Sequence, residues 1–235
     1  MTRIKHWLAI TILVLCSGHL FAGDITGTVR AEPKAGTDTA GNNAPSSYDS
    51  RKYKFVPKVD YTAMRDFVVY IEGPVGTNVT LTTNVVSVTT SRIAQKSATF
   101  TPHVLPILAG TTVEWPNNDD IYHNVFSDSD LARFDLGLYK GNPTNKWVRF
   151  EHPGRVDVFC SIHENMHCIV MVMANPYFAT TDAVGRYTIT NVPAGTYKLK
   201  AWHERMPAGE KEIVVPANAD VRADFTLGFE NLPAH

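Results

Sequence analysis

Three cysteines in 235 residues exclude a disulfide framework, which needs several paired thiols to make up for a small core. Charge of one sign is also missing: 22 Lys and Arg stand against 23 Asp and Glu, a formal net charge of −1, so nothing marks the chain as a binder of nucleic acid. Beyond the N-terminus no apolar run is long enough to cross a bilayer. Nor does any segment keep a 3.6-residue period, which excludes a helical bundle.

The N-terminus itself is distinctive. Arg3 and Lys5 precede an apolar run from Trp7 to Cys16, and the small Ala22 stands before Gly23 and Asp24. That is the layout of a secretory signal peptide, residues 1–22, cleaved after Ala22. A retained anchor would need about 20 apolar residues, more than the run supplies. A lipoprotein signal ending at Cys16 is a further alternative, with Leu15 bulky where a small residue is wanted. Loss of Arg3 and Lys5 takes the formal charge from −1 to −3. Export places the mature chain in the periplasm with no transmembrane segment, and Cys160 and Cys168 are its remaining thiols.

What is present is a succession of short β-rich runs between turn residues: "DITGTV", "DFVVYIEG", "TTVEWPN", "KWVRFEH", "RVDVFC", "CIVMVM", "TYKLKAW", "RADFTLG". Such spacing predicts an all-β protein of sandwiches or barrels. From Ala31 to Ser50 the composition shifts to Gly, Ala, Ser, Thr, Asn and Pro, read as a mobile insertion at about 31–60. Within it, Arg51 to Lys58 carries four basic residues and two aromatics, a solvated loop edge or a docking site for an acidic partner. A second composition shift sets a boundary near residue 177, which divides the mature chain into 23–176 and 177–235.

The segment "VFCSIHENMHCIVMV", residues 158–172, concentrates soft ligands. Two His, one Cys and a weak axial Met form the donor set of a blue-copper electron-transfer site. Cys160, His163 and Met166 supply three of the four at C-x2-H-x2-M spacing, so one tight loop can wrap one ion. The fourth must be an upstream histidine at the same end of the barrel, and "EWPNNDDIYHNVFS" offers His123 after a strand and a turn-rich stretch. A Cys160–Cys168 disulfide is the competing reading. Parity opposes it: if Met166 points inward, Cys168, Val170 and Val172 share its face, and Cys168 is a small core residue. Met171 and Met173 then pack on the opposite face. His167 reads as a surface or packing residue, and His103 as a lone histidine without a partner at ligand spacing.

These segments resemble the cupredoxins, the plastocyanin and amicyanin family of type 1 copper proteins. "FTPHVLPILAGTTVEWPNNDDIYHNVFS" is similar to the family's F-x-P, G-x-x-V-x-(F/W)-x-N and H-N pattern, and "VFCSIHENM" to its short, amicyanin-like ligand loop. The resemblance implies a Greek-key β-sandwich or barrel, one copper ion held by His123, Cys160, His163 and Met166, and Asn124 tying the two ligand loops together near the Cys160 sulfur. It implies that the His163 edge, beside Ile162, is the electron exit and docking point. Ile162 stands where the family often has proline.

The segment "DAVGRYTITNVPAGTYKLKAWHE" resembles the carboxypeptidase regulatory-like modules, small transthyretin-like β-sandwiches, and this pattern describes turns and core positions and not chemistry. Tyr197, Leu199, Ala201 and His203 share one strand face, with Lys198 and Lys200 on the wet one. The expected function is that of a one-electron carrier, with redox protein partners and no catalysis, since Cys160 lacks the flanking histidines of a multicopper oxidase. The alternatives are a copper chaperone or storage module using the same residues, and a cell-envelope binding module in which the second sandwich does the work.

Overall fold

The computed structural model describes residues 22–33, 60–75, 90–141 and 143–229. Apart from one 3-10 turn, Tyr61–Ala63, every regular element among them is a strand, as the all-β expectation requires. Two strands come first, β1 (Ala22–Pro33) and β2 (Val68–Ile71). Ten follow: β3 (Thr90–Arg92), β4 (Ala94–Lys96), β5 (Thr99–Thr101), β6 (Val104–Leu108), β7 (Thr111–Glu114), β8 (His123–Ser127), β9 (Phe134–Tyr139), β10 (Trp147–Phe150), β11 (Gly154–Phe159) and β12 (His167–Met173). The last six are β13 (Phe178–Thr180), β14 (Arg186–Pro193), β15 (Gly195–His203), β16 (Met206–Val215), β17 (Val221–Arg222) and β18 (Phe225–Phe229).

Strands β3 to β12 make one sandwich. Its sheets run β10-β7-β3 and β6-β12-β11-β8-β9, with a β4–β5 hairpin, and Trp115, Phe150, Val125, Val156 and Val158 are buried in its core. The remaining strands make a second. Here β1 lies antiparallel to β14 and parallel to β17 and β18, with Ile25 opposite Ile189 and Val29 opposite Phe225. Strand β2 lies between β13 and β15. Ile25, Val69, Tyr187, Leu199 and Phe225 are buried together there.

This pairing corrects the expected division at residue 177. The second sandwich is not a C-terminal unit of 177–235: it draws β1 and β2 from upstream, and the first sandwich is inserted between β2 and β13. Successive strands are neighbours in most folds, so β1 reads as the first strand of the unit that follows it. Period-2 alternation tells which face of a strand is wet and says nothing about which distant strand it pairs with. The expected insertion also begins later than residue 31, because Ala31, Glu32 and Pro33 continue β1 opposite Leu227, Gly228 and Phe229. Residues 34–59, including the basic stretch Arg51 to Lys58, lie outside the described residues, as does the expected signal peptide apart from Ala22.

Local chemistry explains the second sandwich's turns. Asp182 accepts hydrogen bonds at Oδ1 from the backbone N–H of Val184 and Arg186 and pairs through Oδ2 with the Arg186 guanidinium. Gly185 takes φ +82° beside the Val29 carbonyl, a conformation that penalises a side chain. The Tyr197 hydroxyl donates to the Pro193 carbonyl at 2.8 Å. On the wet face Lys198 and Lys200 each pair with Glu72 and Glu210.

Gly27 sets how closely β1 approaches its parallel partners, since a Cβ there would run into the Ala223 carbonyl oxygen. Gly27→Ala must push backbones apart and should destabilise the chain by about 1–3 kcal/mol, the usual cost of overpacking, seen as a lower Tm in thermal unfolding. An unchanged Tm would show that β1 does not close the second sandwich.

Candidate metal centre

Three segments meet at one end of the inserted sandwich. The stretch "PNNDD" turns the chain from β7 into β8, and Asn117 holds it: its side-chain amide donates to the Ile121 and Tyr139 carbonyls, while its oxygen accepts from the Asp119 N–H. Strand β8 pairs with β9 from His123 opposite Tyr139, and its register shifts between Asn124 and Phe126. An irregularity of this kind re-aims side chains, and His123, Asn124 and Val125 are all buried in succession. The third segment follows the Phe159–His167 pair that ends the β11–β12 ladder. The Cys160 N–H donates to the Met166 carbonyl and the Met166 N–H to the His163 carbonyl, closing Cys160 to Met166 into a tight loop.

The side chains converge. His123 Nδ1 lies 3.1 Å from His163 Nδ1, and His163 Nδ1 lies 3.6 Å from Cys160 Sγ. The potential ligand atoms of His123, Cys160 and His163 are all within 4.8 Å of one another. Met166, 1% exposed, is buried in the same core cluster as Cys160. His123 and Cys160 are buried, whereas His163 is half-buried.

One residue that the sequence reading passed over organises this group. Asp119 Oδ2 accepts from His123 Nε2 at 2.8 Å, which makes Nε2 the protonated nitrogen and leaves Nδ1 as a lone pair aimed at His163 and Cys160. The same carboxylate accepts from the backbone N–H groups of Ala98 and Ser97. Those bonds, Ala98's first and then those of His123 and Ser97, hold the Asp119 carboxyl down to about 2 against the opposing effect of burial. An Asp four residues before a histidine is the only local signal of this contact.

Asn124 differs in detail from its expected role. It does link the loops near the sulfur, but by its backbone: the Asn124 N–H points at Cys160 Sγ at 3.4 Å. Its side-chain amide donates instead to Asp135 at 2.6 Å, and its own oxygen is buried without a hydrogen bond. Ile162 is 49% exposed beside His163, and Ile121 and Tyr122, just before His123, are exposed as well.

The other sulfur and histidines separate cleanly from this group. Cys160 and Cys168 are both free, and Cys168 is buried in the inserted sandwich's core with Val170 and Val172. His203 is buried in the second sandwich, accepts from the Arg205 N–H at Nδ1 and packs its ring 5.0 Å from that of Phe67. Burial lowers its pKa, which favours the neutral ring.

Residues 170–228 match the family model of the carboxypeptidase regulatory-like domain. No curated protein matches the chain by sequence. Among solved structures, an oxidised methionine-to-leucine variant of amicyanin matches with 20% identity over 35% of this chain and 81% of its own, at a TM-score of 0.32. A purple cupredoxin from Nitrosopumilus maritimus matches with 24% identity over 35% of this chain and 99% of its own, at 0.30. A copper-containing nitrite reductase from Thermus scotoductus SA-01 matches with 26% identity over 37% of this chain and 23% of its own, at 0.34. No helix among the described residues is long and apolar enough to cross a membrane.

Burial raises the Cys168 thiol well above its ordinary pKa, and a thiol without thiolate character and without access is unreactive. In the folded chain at pH 8, Cys168 should therefore resist DTNB and add one equivalent of released thiolate only on unfolding in guanidinium. Rapid labelling of Cys168 in the native protein, read in a Cys160→Ser background, would contradict its placement.

Proposed function

We propose that this chain is an exported type 1 copper protein of the periplasm that carries single electrons between redox partners and catalyses no reaction of its own. The observation that carries this reading is the convergence of His123 Nδ1, His163 Nδ1 and Cys160 Sγ, with His123 Nε2 already committed to Asp119. Two imidazoles and a thiolate suit copper, and Met166 closes the same loop as the weak fourth donor. Bound there, a copper ion would alternate between its cuprous and cupric states and so accept and release one electron.

Every other requirement falls on the chain's own groups. Asp119 fixes the tautomer and ring orientation of His123, and partners of this kind govern ligand basicity. The Asn124 N–H directed at Cys160 Sγ stabilises negative charge on sulfur. His123 and Cys160 are closed to water, so a substrate has no direct approach to them, while the half-buried His163 offers an edge through which an electron can leave. Ile162, exposed beside it, is an apolar contact suited to a short-lived complex. Copper delivery or storage would use the same residues, but a buried His123 and Cys160 favour retention over transfer to an acceptor.

Copper-loaded protein should absorb strongly in the visible through thiolate-to-copper charge transfer, with one copper per chain. Cys160→Ser should abolish the band, whereas Cys168→Ala should keep it and cost about 1 kcal/mol of stability through a small cavity. Colour that survives loss of Cys160, measured by visible and EPR spectroscopy, would refute the assignment. Ile162→Lys should slow electron transfer to a protein partner at all ionic strengths while leaving the spectrum nearly intact, as stopped-flow kinetics with an inorganic oxidant as control would show.

A further inference from the structure

A second cluster lies where the two sandwiches meet. His103 stands in the turn between β5 and β6, His167 opens β12, and Glu204 lies in the turn from β15 to β16. His103 and His167 thus belong to the inserted sandwich, and Glu204 to the other. One potential ligand atom from each residue lies within 4.8 Å of the other two, and all three residues are half-buried.

Each imidazole is oriented by an acceptor at one of its nitrogens. His103 Nδ1 is 3.2 Å from the His167 carbonyl oxygen, and His167 Nε2 is 2.9 Å from Asp157 Oδ1. Asp157 is itself braced by a two-bond contact with Arg155, and the His167 ring stacks on Phe159 at 4.8 Å. The Asp157 contact places a ring proton on His167 Nε2, and the His167 carbonyl is an acceptor for one on His103 Nδ1. In a neutral ring so held, the other nitrogen, His103 Nε2 or His167 Nδ1, is the one that can bind an ion.

His103 Nε2 nevertheless faces Glu204 Oε2 at 2.9 Å. A neutral ring has one N–H and cannot donate to acceptors at both nitrogens, so the two contacts together call for a cation at Nε2, either a second ring proton or a metal ion in its place. A proton is the simplest such cation, and the Glu204 hydrogen bond does raise the His103 pKa. A proton serves one nitrogen–oxygen pair, however, and leaves the second imidazole lone pair unused. A metal ion would engage all three donors. Carboxylate- or carbonyl-anchored histidines are the usual accompaniment of a bound metal.

We propose that His103, His167 and Glu204 form a binding site for a divalent borderline metal ion, zinc by preference, that clasps the inserted sandwich to its host. Two imidazoles and a carboxylate, without sulfur, make a set that zinc takes in tetrahedral geometry with water completing the fourth position. Ligands about 2.1 Å from a tetrahedral ion stand roughly 3.4 Å apart, so the His103–Glu204 pair would open slightly from 2.9 Å and the wider separations draw in, by small side-chain rotations. The ion would tie Glu204 to β12 and hold the two sandwiches in register. This assignment does not depend on copper at the first site.

The full-length chain carrying His123→Ala isolates the second site, because that change takes a ligand from the first. Equilibrium dialysis against zinc chloride, followed by metal analysis, should find one tightly held zinc per chain, and zinc should raise the Tm. Glu204→Gln or His103→Gln in the same background should remove both effects, and Asp157→Asn should weaken zinc affinity by about 10–100-fold. Two independent ligand variants guard against the loss of one to misfolding, which circular dichroism would reveal. No bound zinc in the His123→Ala chain, or zinc retained equally by both ligand variants, would overturn the proposal. Neither result would bear on the visible band that tests the first site.

Discussion

Everything in this molecule leans on β12, a strand buried on both faces. Its one face, Cys168, Val170 and Val172, fills the core of the inserted sandwich. Its other face, Ile169, Met171 and Met173, packs with Val68 and Val104, and with Tyr70, Phe178 and Trp202 at the margin. Burial at roughly 25 cal/mol per Å² of apolar surface is thus collected twice along one backbone. A free strand with this composition would be an aggregation hazard. Here it lies between β11 and β6, so its hydrogen bonds are also satisfied on both edges.

That position explains why both candidate metal centres gather at its N-terminal end. Met166 and His167 sit at the point where β12 leaves the core, and the Phe159–His167 pair fixes the loop that carries Cys160 and His163. A shift of one residue in register would turn Cys168 toward the second sandwich and Ile169 into the first core. The ladder therefore specifies the geometry of the ligand loop as well as the packing below it. The two faces of the strand also place the two candidate metal centres next to each other in sequence while keeping their ligands distinct.

Much of this was legible in the sequence because it is local. C-x2-H-x2-M within seven residues announces a loop that closes on itself, and alternation correctly separates Cys168 from Met171. Contacts between distant segments left no such trace. The partnership of β1 with β18 has no local signature, and alternation in "DITGTV" is equally compatible with either sandwich. His103 looked solitary because its partners His167 and Glu204 lie 64 and 101 positions away. Asp119 was hidden for another reason: an aspartate in a turn is ordinarily explained by the turn itself, and only its second oxygen reveals that it also holds His123.

Asp119 and Asp157 perform the same operation on different histidines. Each takes one imidazole N–H, so that the remaining nitrogen can only accept a proton or bind a metal. Each is in turn fixed by other donors: Asp119 by the backbone at Ser97 and Ala98, whose positive φ of 54° and 53° aims both N–H groups at one carboxylate, and Asp157 by Arg155. With orientation supplied alike at both places, the chemical difference between them comes down to the third donor. A cysteine sulfur beside the His123–His163 pair makes a soft set that suits a redox ion. The Glu204 oxygen beside His103 and His167 makes a harder one, suited to an ion that binds firmly without changing its charge.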